Sequence, residues 1–175
     1  MITVDGLTLR RWTDADVPAL VAAYADPELR RWTRLHADTT PAALAWVALH
    51  DAGWADRTRF GFAVVDAAGG PVLGTVALKR HDPDGPRAEV GYWTTAAARG
   101  RGVAPRAVEV LTGWAFGRFP SLAAVDLLHL LGNTASCRVA AKARYPYVET
   151  LPPEAPGLDG GHVHTRLATG TTTPR

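Results

Sequence analysis

Apolar and polar positions alternate with a period of two over Leu7-Thr8-Leu9-Arg10-Arg11-Trp12, which predicts a strand with one buried face. The residues from Ile2 onward are strand-like as well. Thr13 and Asp16 follow at capping-box spacing, and Val17, Leu20, Val21 and Tyr24 share one face of a helix over residues 14–24. Asp26-Pro27 punctuates that helix, and a short helical piece runs through Trp32. Thr40-Pro41, an N-cap followed by proline at the first helical position, opens a further helix to about Gly53.

Beyond residue 59 the period changes to two. Strands over residues 60–66 and 71–79 are joined by Ala67-Ala68-Gly69-Gly70, a hairpin turn by its glycines. After a loop over residues 81–86 comes a third strand, 88–93, then a glycine-broken loop and an amphipathic helix to about Gly117. The pattern continues with a buried strand at 123–130, a helix at 133–144, a short strand at 145–149 and a last strand at 162–168, reached through the Pro/Gly-rich stretch 151–161. No repeat, linker or composition shift divides the chain, so residues 1–170 are expected to form one domain, with 171–175 as a flexible tail. The order predicts a mixed α/β (α+β) layer, with helices flanking a largely antiparallel sheet of about six or seven strands. The unit spanning 88–130 predicts a parallel strand–helix–strand crossover.

Composition narrows the function class. The chain has 175 residues, 47% of them hydrophobic and 21% charged, which suits one globular core. A net charge of +2, with basic residues spread along the chain, is no nucleic-acid footprint. Cys137 is the single cysteine, which excludes an intrachain disulfide framework and suits a reducing compartment. There is neither a signal-peptide pattern nor an apolar run near the roughly 20 residues a membrane span needs. The expectation is a cytoplasmic protein without membrane or nucleic-acid partners.

Arg99-Gly100-Arg101-Gly102-Val103-Ala104 carries the most chemistry. A turn of this kind at a helix start aims unpaired backbone N–H groups at one point, with the positive end of the helix dipole behind them, and so suits a phosphate or pyrophosphate. The stretch lacks the GxxxxGK[ST] of a Walker loop. It also departs from the dinucleotide GxGxxG, because Pro105 follows and hairpins replace repeated βαβ units. The plainer alternative is that the glycines merely allow a tight strand-to-helix turn. His162 and His164 share a strand face, but no cysteine or carboxylate spacing completes a metal set, so no metal is expected. Cys137 is expected to pack inward rather than act as a nucleophile, since no adjacent His–Asn arrangement supports it.

The loop resembles the [QR]-x-x-G-x-[GA] pyrophosphate signature of the GNAT superfamily of CoA-dependent N-acyltransferases, position by position. The resemblance extends to Glu89-Val90-Gly91-Tyr92-Trp93, to the run from Gly132-Asn133 through Val139-Ala140, and to the opening LTLRRWTDADVPAL and closing GHVHTRLA segments. Together these are similar to the subgroup that includes ribosomal-protein N-terminal alanine and serine acetyltransferases. Two positions depart from the pattern: Pro105 removes one helix N-terminal donor, and Arg144-Tyr145-Pro146 stands where a glycine-phenylalanine pair is usual.

The resemblance implies a GNAT fold whose central sheet splays, with acetyl-CoA as co-substrate between strands 88–94 and 123–130. Its pantetheine arm would meet backbone groups of Gly91, Tyr92, Trp93 and Thr94, and its pyrophosphate the amides of Arg99, Gly100, Arg101, Gly102, Val103 and Ala104. One of Arg99 and Arg101 would add charge. Glu89 is the candidate base, its alternative being a strand glutamate paired with Arg87 or Arg80. Asn133 and Ser136 lie three apart and share a helix face; Asn133 is a candidate cap, and Ser136 would hydrogen-bond the departing sulfur. Trp32, Trp46, Trp54 and Trp93 are either core or the walls of an acceptor pocket. The implied reaction is direct acetyl transfer to a primary amine of a small molecule or peptide, by a monomer or homodimer. A different acyl group and a non-catalytic CoA-binding module remain open.

Overall fold

The computed structural model describes residues 1–4, 6–153 and 160–169. β1 (Ile2–Val4) and β2 (Leu7–Arg10) form an antiparallel hairpin around Gly6, which takes a φ of 76°. The first strand therefore ends at Arg10, and a three-residue strand precedes it. A segment that short establishes no alternation of its own and is defined by its pairing. Residues 14–16 form a 3-10 turn ahead of α1 (Val17–Tyr24). Pro18 has no N–H to donate to the Asp14 carbonyl, so the Val17 N–H closes the tighter turn instead. α2 (Pro27–Trp32) is capped by the Asp26 carboxylate, and α3 (Thr40–Ala55) by the Thr39 hydroxyl, each with proline in the first turn.

β3 (Arg59–Asp66), β4 (Val72–Lys79) and β5 (Arg87–Thr94) form the expected antiparallel meander, with Gly69 and Gly70 at positive φ in the first hairpin. α4 (Val103–Arg118) then crosses over to β6 (Ala124–Leu130), which pairs parallel with β5. α5 (Thr134–Lys142) leads to β7 (Tyr147–Leu151) at the sheet edge, and β8 (Gly161–Leu167) inserts between β6 and β7. The eight strands run β1-β2-β3-β4-β5-β6-β8-β7. β7 starts at Tyr147, two residues later than the pattern suggests, because Tyr145 is fully buried with its hydroxyl against the Thr112 hydroxyl.

Two cores flank the sheet. Val103, Ala107, Val108, Leu111 and Ala115 of α4 pack on Phe60, Phe62, Val76, Leu78 and Val90. On the opposite face Trp12, Leu20, Tyr24, Leu29, Trp46, Val47 and Trp93 unite α1, α2 and α3 with the sheet. Coverage on both faces explains why β3 and β4 are continuously buried between their ends. Among the described residues no helix is long and apolar enough to cross a membrane.

Candidate active site

The parallel pairing of β5 with β6 runs from Arg87–Ala124 to Val90–Leu127 and stops there. β5 nevertheless continues against β4 as far as Thr94, and β6 against β8 as far as Leu130. The sheet therefore opens into a V, and the β6-facing edge of Gly91, Tyr92, Trp93 and Thr94 has no strand partner. Backbone polar groups in such a gap need an acceptor or donor from elsewhere.

At the wide end of the V lies the turn into α4. Gly100 and Gly102 take φ values of 75° and 72°, a left-handed conformation natural to glycine, and Gly102 is the N-cap of α4. The Arg106 side chain donates to the carbonyls of Gly102 (3.2 Å) and Arg101 (3.4 Å), which braces the turn. Among the described residues no hydrogen bond engages the N–H groups of Gly100, Arg101, Gly102, Val103 or Ala104. The turn is thus an array of free donors at a helix N-terminus, as its sequence predicts. The two arginines differ. Arg99 is ion-paired with Asp26 at the start of α2, whereas Arg101 is exposed and has no ion pair among the described residues.

Across the V, the Asn133 carboxamide caps α5 by accepting from the Ser136 N–H at 3.3 Å. The structure brings Asn133 and Ser136 together, and adds a partner the spacing did not disclose. Tyr92 reaches from β5 across the gap, and its hydroxyl donates to Ser136 Oγ at 2.8 Å. Burial pushes the Tyr92 phenol up to about 12, so it remains a protonated donor. Ser136 itself is buried, and its hydroxyl proton is available to a further acceptor.

Glu89 lies on the face of β5 opposite Tyr92, the face of Trp93. Its Oε1 accepts from Lys79 Nζ at 2.5 Å, and its Oε2 lies 3.8 Å from His81 Nε2. The pairing with Arg87 or Arg80 is therefore corrected. Lys79 stands directly opposite Glu89 in the β4–β5 register, while Arg87 holds Asp126 at 2.6 Å. Arg80 is buried over the Phe119 ring and donates to the Gly85 carbonyl.

Of the four tryptophans, Trp46 and Trp93 are core residues, and Trp54 packs among Phe60, Phe62 and Trp114. Trp32 is half-exposed and lies beside Gly132, in the loop that enters α5. The departure at Arg144 is absorbed locally. Arg144 takes a φ of 60°, the conformation glycine would supply, and the Tyr145 N–H bonds to the Ala140 carbonyl at 2.9 Å to close the helix exit.

Spacing along the chain completes no metal set, and the fold changes that picture. It gathers His129 of β6, Cys137 of α5, and His162 and His164 of β8, with ligand atoms all within 4.8 Å of one another. The pattern hides this set because its members come from three elements. Burial lowers the proton affinity of His129 and His164.

A family model described as an acetyltransferase (GNAT) domain matches residues 6–145. No curated protein matches the chain by sequence. Among solved structures, the chain resembles the microcin C7 self-immunity acetyltransferase MccE in complex with acetyl-CoA and AMP, with a TM-score of 0.83, 12% identity and 94% of each chain covered. It also resembles the ribosomal-protein-S5-alanine acetyltransferase of Vibrio fischeri (TM-score 0.81, 18% identity, 98% of each chain). A third is RimJ of Mycobacterium smegmatis in complex with a CoA disulfide (TM-score 0.80, 18% identity), where 93% of this chain and 82% of that one are covered. At these identities the likeness is one of fold.

Proposed function

The chain belongs to the GNAT acetyltransferase family, and from that membership we propose that it transfers the acetyl group of acetyl-CoA directly to a primary amine. The observation that carries this reading is the end of β5–β6 pairing at Val90–Leu127, beside a glycine turn with free amides. A pantetheine arm in the V restores ladder bonds to Gly91, Tyr92, Trp93 and Thr94. Its diphosphate then lies on the amides of Gly100, Arg101, Gly102, Val103 and Ala104, with Arg101 as the added cation. Arg99 serves instead to tie this turn to α2 through Asp26.

In the reaction the amine lone pair attacks the thioester carbonyl, and the oxyanion takes a backbone N–H near Gly91 or Tyr92. An alkyl ammonium with a pKa near ~10 must first lose a proton. Glu89 takes it, directly or through water, on Oε2, the oxygen that Lys79 does not hold. Collapse of the intermediate breaks the C–S bond and expels a thiolate, which takes up the second proton that the attacking nitrogen sheds as it becomes an amide. Ser136 donates its hydroxyl proton to that sulfur as a hydrogen bond, oriented by the donor Tyr92 behind it. Because a thiol with a pKa of about 8.5 already leaves well, this donor assists and is not indispensable.

The acceptor is a small-molecule or peptide amine. Trp32, beside Gly132, forms part of its wall. Residues 154–159 of the Pro/Gly-rich stretch lie outside the described residues. The same holds for the tail at 171–175. The test is free-thiol release from acetyl-CoA against a panel of amines and N-terminal peptides, with calorimetric binding of acetyl-CoA in parallel. Amine-dependent release is expected. Folded protein that binds acetyl-CoA yet turns over no amine would favour a binding module, and folded protein that ignores acetyl-CoA would overturn the reading.

A further inference from the structure

We propose that His129, Cys137, His162 and His164 form a binding site for one divalent transition-metal ion of the zinc type, which clamps α5 to the β6–β8 strand pair. The distances already fit. Cys137 Sγ lies 3.4 Å from His129 Nε2 and 3.4 Å from His162 Nδ1, and His129 Nε2 lies 3.3 Å from His164 Nε2. Ligands on a tetrahedral zinc, with Zn–N of about 2.0–2.1 Å and Zn–S of about 2.3 Å, stand roughly 3.3–3.6 Å apart. Closing the remaining edges requires side-chain adjustments only, since all four ligand atoms lie within 4.8 Å.

The hydrogen-bond accounting points the same way. His129 Nδ1 faces the Leu130 carbonyl at 2.9 Å and His164 Nδ1 the Tyr145 carbonyl at 3.3 Å. A carbonyl accepts only, so both rings carry their proton on Nδ1 and direct the lone pair of Nε2 inward. Those two lone pairs face each other at 3.3 Å. The Cys137 thiol has one proton to share between His129 and His162. Too few protons serve too many acceptors, and a cation in their midst satisfies all of them. A backbone carbonyl behind a ligating histidine is the usual outer support of such a site, fixing tautomer and ring orientation. Tyr147 closes it from one side, its ring 5.4 Å from His162 and 5.8 Å from His164.

Binding replaces the Cys137 S–H proton with the metal and releases that proton to solvent, with no change of oxidation state. Thioester aminolysis calls for no metal, so the role is structural: the ion holds the helix that carries Ser136 against the far wall of the V. The inference does not depend on the identity of the acyl donor.

Cobalt(II) titration of the metal-stripped full chain tests it. One equivalent is expected to give the intense red-region absorption of tetrahedral cobalt together with a thiolate-to-cobalt charge-transfer band, both abolished by one equivalent of zinc. Cys137→Ser should lose the charge-transfer band, and His162→Ala should weaken binding at least ten-fold. At equal zinc concentration the thermal midpoint of the wild-type protein should rise more than that of either variant, with far-UV circular dichroism confirming that both fold. Weak octahedral absorption indifferent to the substitutions, or no stoichiometric uptake, would overturn the proposal.

Discussion

Tyr92 and Ser136 meet across the gap through one hydrogen bond, so their contributions to turnover should not add. Ser136→Ala is expected to lower kcat by one to two orders of magnitude, about 1.4–2.8 kcal/mol of transition-state stabilisation, with acetyl-CoA still bound. Tyr92→Phe should cost less, and the double variant should be no slower than Ser136→Ala. Steady-state kinetics with calorimetry on the three proteins reads this directly. A second residue-scale consequence concerns acid. His50 is buried, stacks on Trp46 at 3.6 Å and donates Nδ1–H to the Trp46 carbonyl. Burial lowers its pKa from 6.5 to about 4. The unfolded chain therefore binds a proton that the folded one refuses, so stability is unaffected above pH 6.5 and falls as pH drops towards 4. The loss near pH 4 is of order 3 kcal/mol. Denaturant titrations at pH 7 and 4.5 should show it, and His50→Gln should flatten it. Glu89 marks the limit of reading residues one at a time. Its presence on a strand is written in the chain, but its partner Lys79 depends on the β4–β5 register, which no local pattern encodes.

At the scale of elements, the turn into α4 was legible because glycines at positive φ and an apolar helical stripe both leave local marks. Gly102 has open space around its missing Cβ, so alanine there suffers backbone strain alone. Gly102→Ala should cost about 1–2 kcal/mol of stability and raise KM for acetyl-CoA more than it lowers kcat. The exit of α5 carries the opposite lesson. Arg144 occupies a left-handed position without glycine's freedom and pairs its guanidinium with Glu109. Arg144→Gly should stabilise by up to about 1 kcal/mol, less whatever the exposed ion pair contributes. Thermal denaturation measures the balance. The histidine–cysteine set was illegible for a related reason. Periodicity places His162 and His164 on one face of β8, but only the antiparallel pairing of β8 with β6 sets His129 opposite His162. Cys137 joins them because α5 packs over that pair, a tertiary relation.

For the whole molecule, the sheet is two leaves joined along the short seam between Arg87–Val90 and Ala124–Leu127. Alternation and length resolved most of the strands, whereas the place where the seam ends lies in the pairing of β5 with β6, which no local pattern encodes. Beyond that seam the gap is a sheet edge turned inward, with Leu128 and Leu130 exposed on its far lip. Natural proteins guard such edges because any extended chain can add to them. Acetyl-CoA would therefore be a plug as well as a reagent. Concentrated protein deprived of it should self-associate, as followed by light scattering, and saturating acetyl-CoA should return it to its dilute state. By this account, the opening that admits the nucleotide also leaves the empty protein open to its own kind.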